Sequence, residues 1–128
     1  MTLQSIYTEI KDALNSSGIE DSGFEAKLIL KRYLNISDSE FLTLYNREIE
    51  KEKELLIEKA VQKRKERYPL QYILGEWDFY KYTFKVGEGV LIPRSDTEIL
   101  VEKAVEYLKT AENPQVLDLC AGSGCIGI

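Results

Sequence analysis

There is no histidine in this chain of 128 residues, and there are only two cysteines, Cys120 and Cys125. No third or fourth thiol and no imidazole exist to complete a zinc site, so no metal site is expected. Both cysteines lie in a glycine-rich turn that a disulfide would distort. They read as small buried thiols in a reducing cytoplasm. No apolar run approaches the roughly 18 residues of a membrane span. The first residues, Met-Thr-Leu-Gln-Ser, carry neither the basic nor the apolar part of a secretion signal. An excess of basic charge is also lacking: 17 Lys and Arg face 22 Asp and Glu, for a net charge of −5. General electrostatics therefore argue against direct attachment to nucleic acid. A protein partner that itself binds RNA stays open.

What is present suits a soluble globular chain, with 44% hydrophobic and 30% charged residues. The length allows one ordinary domain, or a small domain plus part of another. Residues 1 to about 68 read as four amphipathic helices forming a small bundle. Leu3, Ile6, Tyr7, Ile10, Ala13 and Leu14 recur at helical spacing, and Ser17-Gly18 supplies a stop. Ser22 and Glu25 fit a capping box ahead of an apolar face of Leu28, Ile29, Leu30, Tyr33 and Leu34. Ser37 and Glu40 repeat that pattern before Phe41, Leu42, Leu44 and Tyr45. A charge-dense helix is expected from about Arg47 to Arg67, with Ile49, Leu56, Ala60 and Leu55 as its stripe. Tyr68-Pro69 ends it.

The pattern changes at Pro69. Trp77–Tyr80 and Tyr82–Val86 are aromatic and β-branched, and Gly87-Glu-Gly89 turns into Val90-Leu-Ile92. This predicts a β-hairpin or a pair of short strands, stopped by Pro93. Trp77, Phe79 and Tyr80 are expected in the core. Ser95 and Glu98 form a third capping box, opening a helix that carries Ile99 or Leu100, Val101, Ala104, Val105 and Leu108. Asn113-Pro114 breaks it. Val116–Leu119 reads as a buried strand, and another helix should open at about Gly124.

The residues richest in chemical meaning are Asp118 and the turn after it. Gly122-Ser-Gly124-Cys-Ile-Gly127 matches G-x-G-x-x-G behind a strand, a weak signal alone. Glycines let a cofactor approach the backbone, and a helix N-terminus offers free N–H groups. A carboxylate at the strand's end serves a pyrophosphate poorly. It better serves a cofactor with positive charge, such as the sulfonium and amino groups of S-adenosyl-L-methionine. A dinucleotide or a purely structural turn remain alternatives, and Asp118 by itself also suits an N-cap or turn acceptor.

Pro69-Leu-Gln-Tyr-Ile-Leu-Gly75, then Phe84 and Val86, then Val90-Leu-Ile-Pro-Arg-Ser-Asp-Thr-Glu98, then Val116–Ile128 together resemble the HemK/PrmC family. These are the methyltransferases that modify the glutamine of class I peptide chain release factors. The resemblance is most specific from Pro69 onward. Ser95-Asp96 stands where the family usually has Pro-Glu, Cys120-Ala121 where Gly-Thr is common, and Lys81 where glycine is frequent. The resemblance implies a multidomain α and α/β protein. Residues 1–72 would be a helical release-factor-recognition domain and 73–93 a β-hairpin linker. Residues 94–128 would begin a Rossmann-like class I methyltransferase domain.

The resemblance also implies that Asp118, Cys120, Ala121, Gly122, Ser123 and Gly124 hold S-adenosyl-L-methionine. Leu91, Ile92, Pro93 and Arg94 would line the entrance for the glutamine. The family's Asn-Pro-Pro-Tyr catalytic loop does not occur in the chain, so no catalytic residue is assigned. The chain is read as an N-terminal fragment that recognises the release factor without completing the chemistry. A cytoplasmic monomer is expected, with no membrane and no direct nucleic-acid partner. Rival readings are a non-catalytic binding module, an amino-group methyltransferase acting on nucleic acid, and a nicotinamide-dependent oxidoreductase. Arg94 is expected either to orient a carboxylate or substrate backbone, or to pair with Asp96 or Glu98 on the surface. Lys63–Arg67 reads as a solvated helix face, with an acidic partner or ribosomal RNA as its alternative.

Overall fold

A computed structural model describes all 128 residues, which divide into two compact units, Met1–Leu74 and Gly75–Ile128. The architecture is mostly helical with one two-stranded antiparallel sheet.

The first unit holds five helices: α1 (Leu3–Ser16), α2 (Ser22–Leu34), α3 (Asp38–Thr43), α4 (Lys51–Lys65) and the short α5 (Leu70–Leu74). The sequence predicts four; α5, inside the Pro69–Gly75 string, is an addition. Its start follows from Pro69, whose carbonyl accepts the amides of Tyr72 and Ile73 and whose own missing N–H is harmless in a first turn.

Helix α1 buries Leu3, Ile6, Ile10 and Leu14, the expected stripe. Thr2 caps it by accepting from the Ser5 amide. Its far end is a Schellman motif: the Ile19 amide reaches Leu14 O, the Gly18 amide reaches Asn15 O, and Gly18 sits at φ +81°.

Two capping expectations need correction. The N-cap of α2 is Asp21, and Ser22 lies inside the helix. Glu25 reaches across to α4 instead of back to the cap: Arg64 Nε donates to its Oε2 at 2.6 Å and Arg64 Nη2 to its Oε1 at 3.1 Å. A two-pronged charged partner outcompetes a single backbone amide. The Ser37–Glu40 box forms as read, with the Glu40 amide donating to Ser37 Oγ and the Ser37 amide to Glu40 Oε2.

Helix α4 begins four residues later than expected from Arg47, for a definite reason. The carbonyls of Tyr45 and Arg47 accept the free amides of Gln4 and Leu3, and Ile49 donates to Met1 O. Residues 45–49 thereby satisfy the first turn of α1 and cannot also wind into α4. With Ile49 outside the helix, the stripe rotates. Ile57, Ala60 and Val61 are buried, while Leu55 and Leu56 are 49% and 46% exposed.

The end of α4 also precedes Pro69. The Tyr68 amide reaches Lys63 O and the Arg67 amide Arg64 O, with Arg67 left-handed at φ +71°. The basic run is not a plain solvated face: Arg64 holds Glu25, Arg67 Nη2 donates to Ser17 O, and Lys63 lies over the Tyr68 ring. Helix α2 is central, packing against α1, α4 and α5. Ala26, Ile29 and Leu30 are its fully buried residues; Leu28, Tyr33 and Leu34 are half-buried.

In the second unit, β1 (Glu76–Phe79) pairs antiparallel with β2 (Tyr82–Lys85), in the register Glu76–Lys85, Trp77–Phe84, Asp78–Thr83, Phe79–Tyr82. Alternation puts Trp77, Phe79, Tyr82 and Phe84 on one face and Glu76, Asp78, Thr83 and Lys85 on the other. A 3₁₀ turn (Ser95–Thr97) leads into α6 (Glu98–Thr110). Phe79, Phe84 and Val101 form the core, with Val105 and Cys125 partly buried against it.

Several expectations fail in this unit. Val90–Ile92 is not a strand: the Val90 amide closes a turn onto Gly87 O instead of joining a ladder. Trp77 is half-buried and Tyr80 is exposed, because of these three only the Phe79 side chain joins the cluster with Val101. Ile99, Leu100 and Ala104 are exposed, leaving Val101 and Val105 as the packed residues of α6. Val116, Leu117 and Leu119 form no strand and are 67%, 85% and 79% exposed. A lone extended segment has no ladder for its amides and carbonyls and no sheet face to bury its side chains. The helix expected at Gly124 is reduced to one turn, closed by the Ile128 amide on Gly124 O. Cys120 is exposed rather than buried.

Candidate functional site

The residues singled out for chemistry lie in the second unit, in two groups. The first is the segment Leu91–Arg94, between the hairpin and α6. Leu91 is 82% exposed, Ile92 is half-buried, and Pro93 is buried. Proline has no N–H to leave unpaired, so its burial strands no backbone donor. Arg94 is exposed, and its Nη2 donates to Asp96 Oδ2 at 3.0 Å. This is the surface pair with Asp96 that was one of the two roles expected of Arg94.

The second group is the turn after Asp118. Ala121 O accepts the Gly124 amide at 2.9 Å, closing a tight turn around Gly122 and Ser123. Cys120, Gly122 and Gly124 take φ of +59°, +59° and +78°. Two of these left-handed positions are glycines, for which the conformation is free of strain; at Cys120 it costs about 1 kcal/mol. A side chain added at Gly122 would meet nothing within 4 Å, so the backbone there is open to approach.

Asp118 is half-buried, and its Oδ2 is buried with no hydrogen-bond partner. It lies against Gly127: a Cβ placed at that glycine would sit 2.8 Å from Oδ2 and 3.2 Å from the aspartate Cβ. Gly127 was not among the expected site residues, although the G-x-G-x-x-G spacing contains it as the third glycine. Chemically, a buried carboxylate oxygen without a donor is a place prepared for a cation or an N–H or O–H group.

One further residue escaped the sequence reading. The Glu98 side chain does not cap α6. Its Oε1 accepts the backbone amide of Tyr80, at the hairpin tip, at 2.7 Å. The spacing Ser95–Glu98 carried a capping signal, and nothing local announced a partner 18 residues back. No group of His, Cys, Asp and Glu suited to a metal ion is present, and no helix is long and apolar enough to cross a membrane.

Fold and site together define a small helical domain continued by a hairpin, a helix and an acidic residue ahead of a glycine-rich turn. Residues 5–75 match the family described as the PrmC N-terminal domain, and the chain belongs to it. It is similar to the release factor glutamine methyltransferase of Fusobacterium nucleatum, with 40% identity over 124 residues, 96% of this chain and 35% of that protein. The protein of that name from Thermodesulfovibrio yellowstonii is 45% identical over 106 residues, 81% of this chain and 38% of its own. The one from Clostridium botulinum is 36% identical over 128 residues, 100% of this chain and 45% of its own. The chain thus spans between about a third and a half of the length of these relatives.

Proposed function

We propose that this chain is the release-factor-recognising and cofactor-entry portion of an S-adenosyl-L-methionine-dependent methyltransferase. The whole protein would methylate the N5 amide nitrogen of a glutamine in a class I peptide chain release factor. The observation that carries the reading is the continuity of likeness. It runs through both the helical unit and the Pro69–Ile128 segment, to proteins named for that reaction. Residues 1–72 would recognise the release factor, 73–93 would be the hairpin linker, and 94–128 would open the methyltransferase domain. A cytoplasmic setting follows from a translation-factor substrate.

The turn supports the cofactor assignment. When bound, S-adenosyl-L-methionine supplies an electrophilic methyl group on a positively charged sulfur. Asp118 offers an oxygen that lacks a donor, matched to a positive or N–H-bearing group. Gly122 leaves the backbone approachable, and Cys120, Ala121, Ser123 and Gly124 beside it would complete the cradle. Leu91, Ile92, Pro93 and Arg94 would border the path of the glutamine. No residue of this chain is given a role in moving the amide proton.

The test uses the complete polypeptide that carries this chain, labelled S-adenosyl-L-methionine, and a release factor with and without its target glutamine replaced by alanine. Label on the native factor alone establishes the substrate. Absence of label on the native factor, under conditions where the enzyme binds the cofactor, sinks the reading. Label transferred to nucleic acid instead would move the activity to an amino-group methyltransferase of that class.

A further inference from the structure

The geometry points to Glu98 as a positioning residue that aims the hairpin tip at the protein substrate. The inference rests on the function proposed above. Phe79 and Tyr82 are paired, so the hairpin turns on two residues, Tyr80 and Lys81. Tyr80 is left-handed at φ +56°, a conformation that favours glycine in such turns. Neither turn residue is a glycine, so the tip's own sequence holds its shape poorly.

Glu98 supplies what the tip lacks. Its carboxylate accepts the Tyr80 amide at 2.7 Å, a charge-assisted bond onto the strained residue itself. The Phe79, Phe84 and Val101 cluster fixes the body of the hairpin to the same helix, α6. Two attachments to α6 leave the hairpin no freedom to pivot. The chain between them, including Leu91–Arg94, runs as a closed loop from β2 back to the start of α6.

The fixed tip presents groups suited to a protein surface. Tyr82 is 56% exposed, Tyr80 36%, and Leu91, on the return segment, 82%. Lys81 lies with its Nζ 5.4 Å from the Tyr80 ring centroid, which steadies that ring against solvent. Exposed tyrosines on a rigid support supply contact area at low cost in side-chain entropy, the usual composition of a binding rim. The occupant is the release factor, the protein substrate proposed above on the likeness to proteins named for its methylation.

The experiment measures steady-state methylation of a release factor by the complete enzyme. The variants are Glu98→Ala, Glu98→Gln, Tyr82→Ala, and the double variant Glu98→Ala/Tyr82→Ala. Glu98→Ala should raise KM for the release factor on the order of tenfold, with kcat and cofactor affinity unchanged. Glu98→Gln retains an amide oxygen to accept the Tyr80 N–H and should restore most of the loss. Tyr82→Ala alone keeps the fold and should raise KM similarly. The double variant should be no worse than the poorer single one, because a misdirected tip cannot use Tyr82.

A fall in thermal stability of Glu98→Ala with KM unmoved would overturn the proposal, leaving Glu98 a purely structural residue. Fully additive effects in the double variant would overturn it too. Failure of the wild-type enzyme to label the release factor at all would be a failure of the underlying function, recognisable because it precedes any variant.

Discussion

Replacing Glu25 with alanine tests the contact that most firmly joins α2 to α4. The carboxylate and the Arg64 guanidinium meet in two hydrogen bonds of 2.6 and 3.1 Å, with side chains only 12% and 18% exposed. The bond with Glu25 raises the Arg64 pKa, so the cation stays charged at any accessible pH. Exposed pairs contribute about 0–1 kcal/mol, whereas removing one partner of a buried pair costs about 3–5 kcal/mol. At this burial the expected cost is about 2 kcal/mol. Arg64 would keep only its bond from Nη1 to Tyr68 O, at 3.3 Å. In a domain this small, 2 kcal/mol lowers the melting temperature by roughly 8–16 °C. The assay is urea and thermal unfolding of the chain, followed by circular dichroism. It should be run as a double-mutant cycle with Arg64→Ala. A coupling energy above about 1 kcal/mol, little changed between low and high salt, is expected. The reasoning is refuted if coupling is below about 0.3 kcal/mol. It is also refuted if Ser22→Ala proves the costlier change, since that would restore the capping box that the structure dissolves.

Other consequences can be checked directly. Ile57→Ala should cost about 3 kcal/mol and Leu56→Ala less than about 1 kcal/mol in urea unfolding, since the first is 2% exposed and the second 46%; equal costs would mean that α4 is rotated. Gly18→Ala should destabilise by more than the roughly 1 kcal/mol of a left-handed alanine, because the new Cβ would sit 3.1 Å from Arg67 Nη2 and disturb its bond to Ser17 O. The pKa of Asp38 is lowered from 3.8, by Lys27 first and then Lys31, and that of Glu40 from 4.5, chiefly by the Ser37 amide. Depressed carboxylates stabilise fully above their unfolded values and lose that contribution as pH falls through the folded ones. Lys27→Met and Glu40→Gln should therefore flatten the acid side of the stability profile below about pH 5, and an unchanged profile would refute both assignments. Gly127→Ala should weaken S-adenosyl-L-methionine binding by the complete enzyme at least about tenfold by displacing the Asp118 carboxylate, and unchanged affinity in calorimetry would remove Asp118 from the site.

What could be read in advance divides by the range of the interaction. The α1 stripe was legible because its 3.6-residue spacing is written in the helix itself, and the Gly18 stop because its bonds close within a turn. So was the Ser37–Glu40 box, whose two bonds close locally. Ser22–Glu25 and Ser95–Glu98 carry the same spacing and behave otherwise, for one shared reason. In each, the glutamate finds a partner far along the chain: Arg64 for Glu25, the Tyr80 amide for Glu98. A capping pattern states what a side chain can do when nothing better arrives, and tertiary structure decides what arrives. The start of α4 was misplaced by the same mechanism. The carbonyls of Tyr45 and Arg47 were already committed to α1, which no periodicity along residues 45–67 reveals.

The glycine-rich turn carries that distinction into the site. Its local geometry is present: the Ala121–Gly124 closure and the left-handed glycines need only neighbours in sequence. The strand before it is absent as a regular element, because a strand depends on a neighbour for its ladder. Asp118 stands at the junction between these levels. Its position ahead of the turn is a property of the sequence, yet its carboxylate lies where a side chain at Gly127, nine residues on, would collide with it. The third glycine of the motif is thus best understood here as the residue that lets the acid fold inward. Under the function proposed above, the buried oxygen beside it, with no donor of its own, is where a positive or N–H-bearing group of the cofactor would be received.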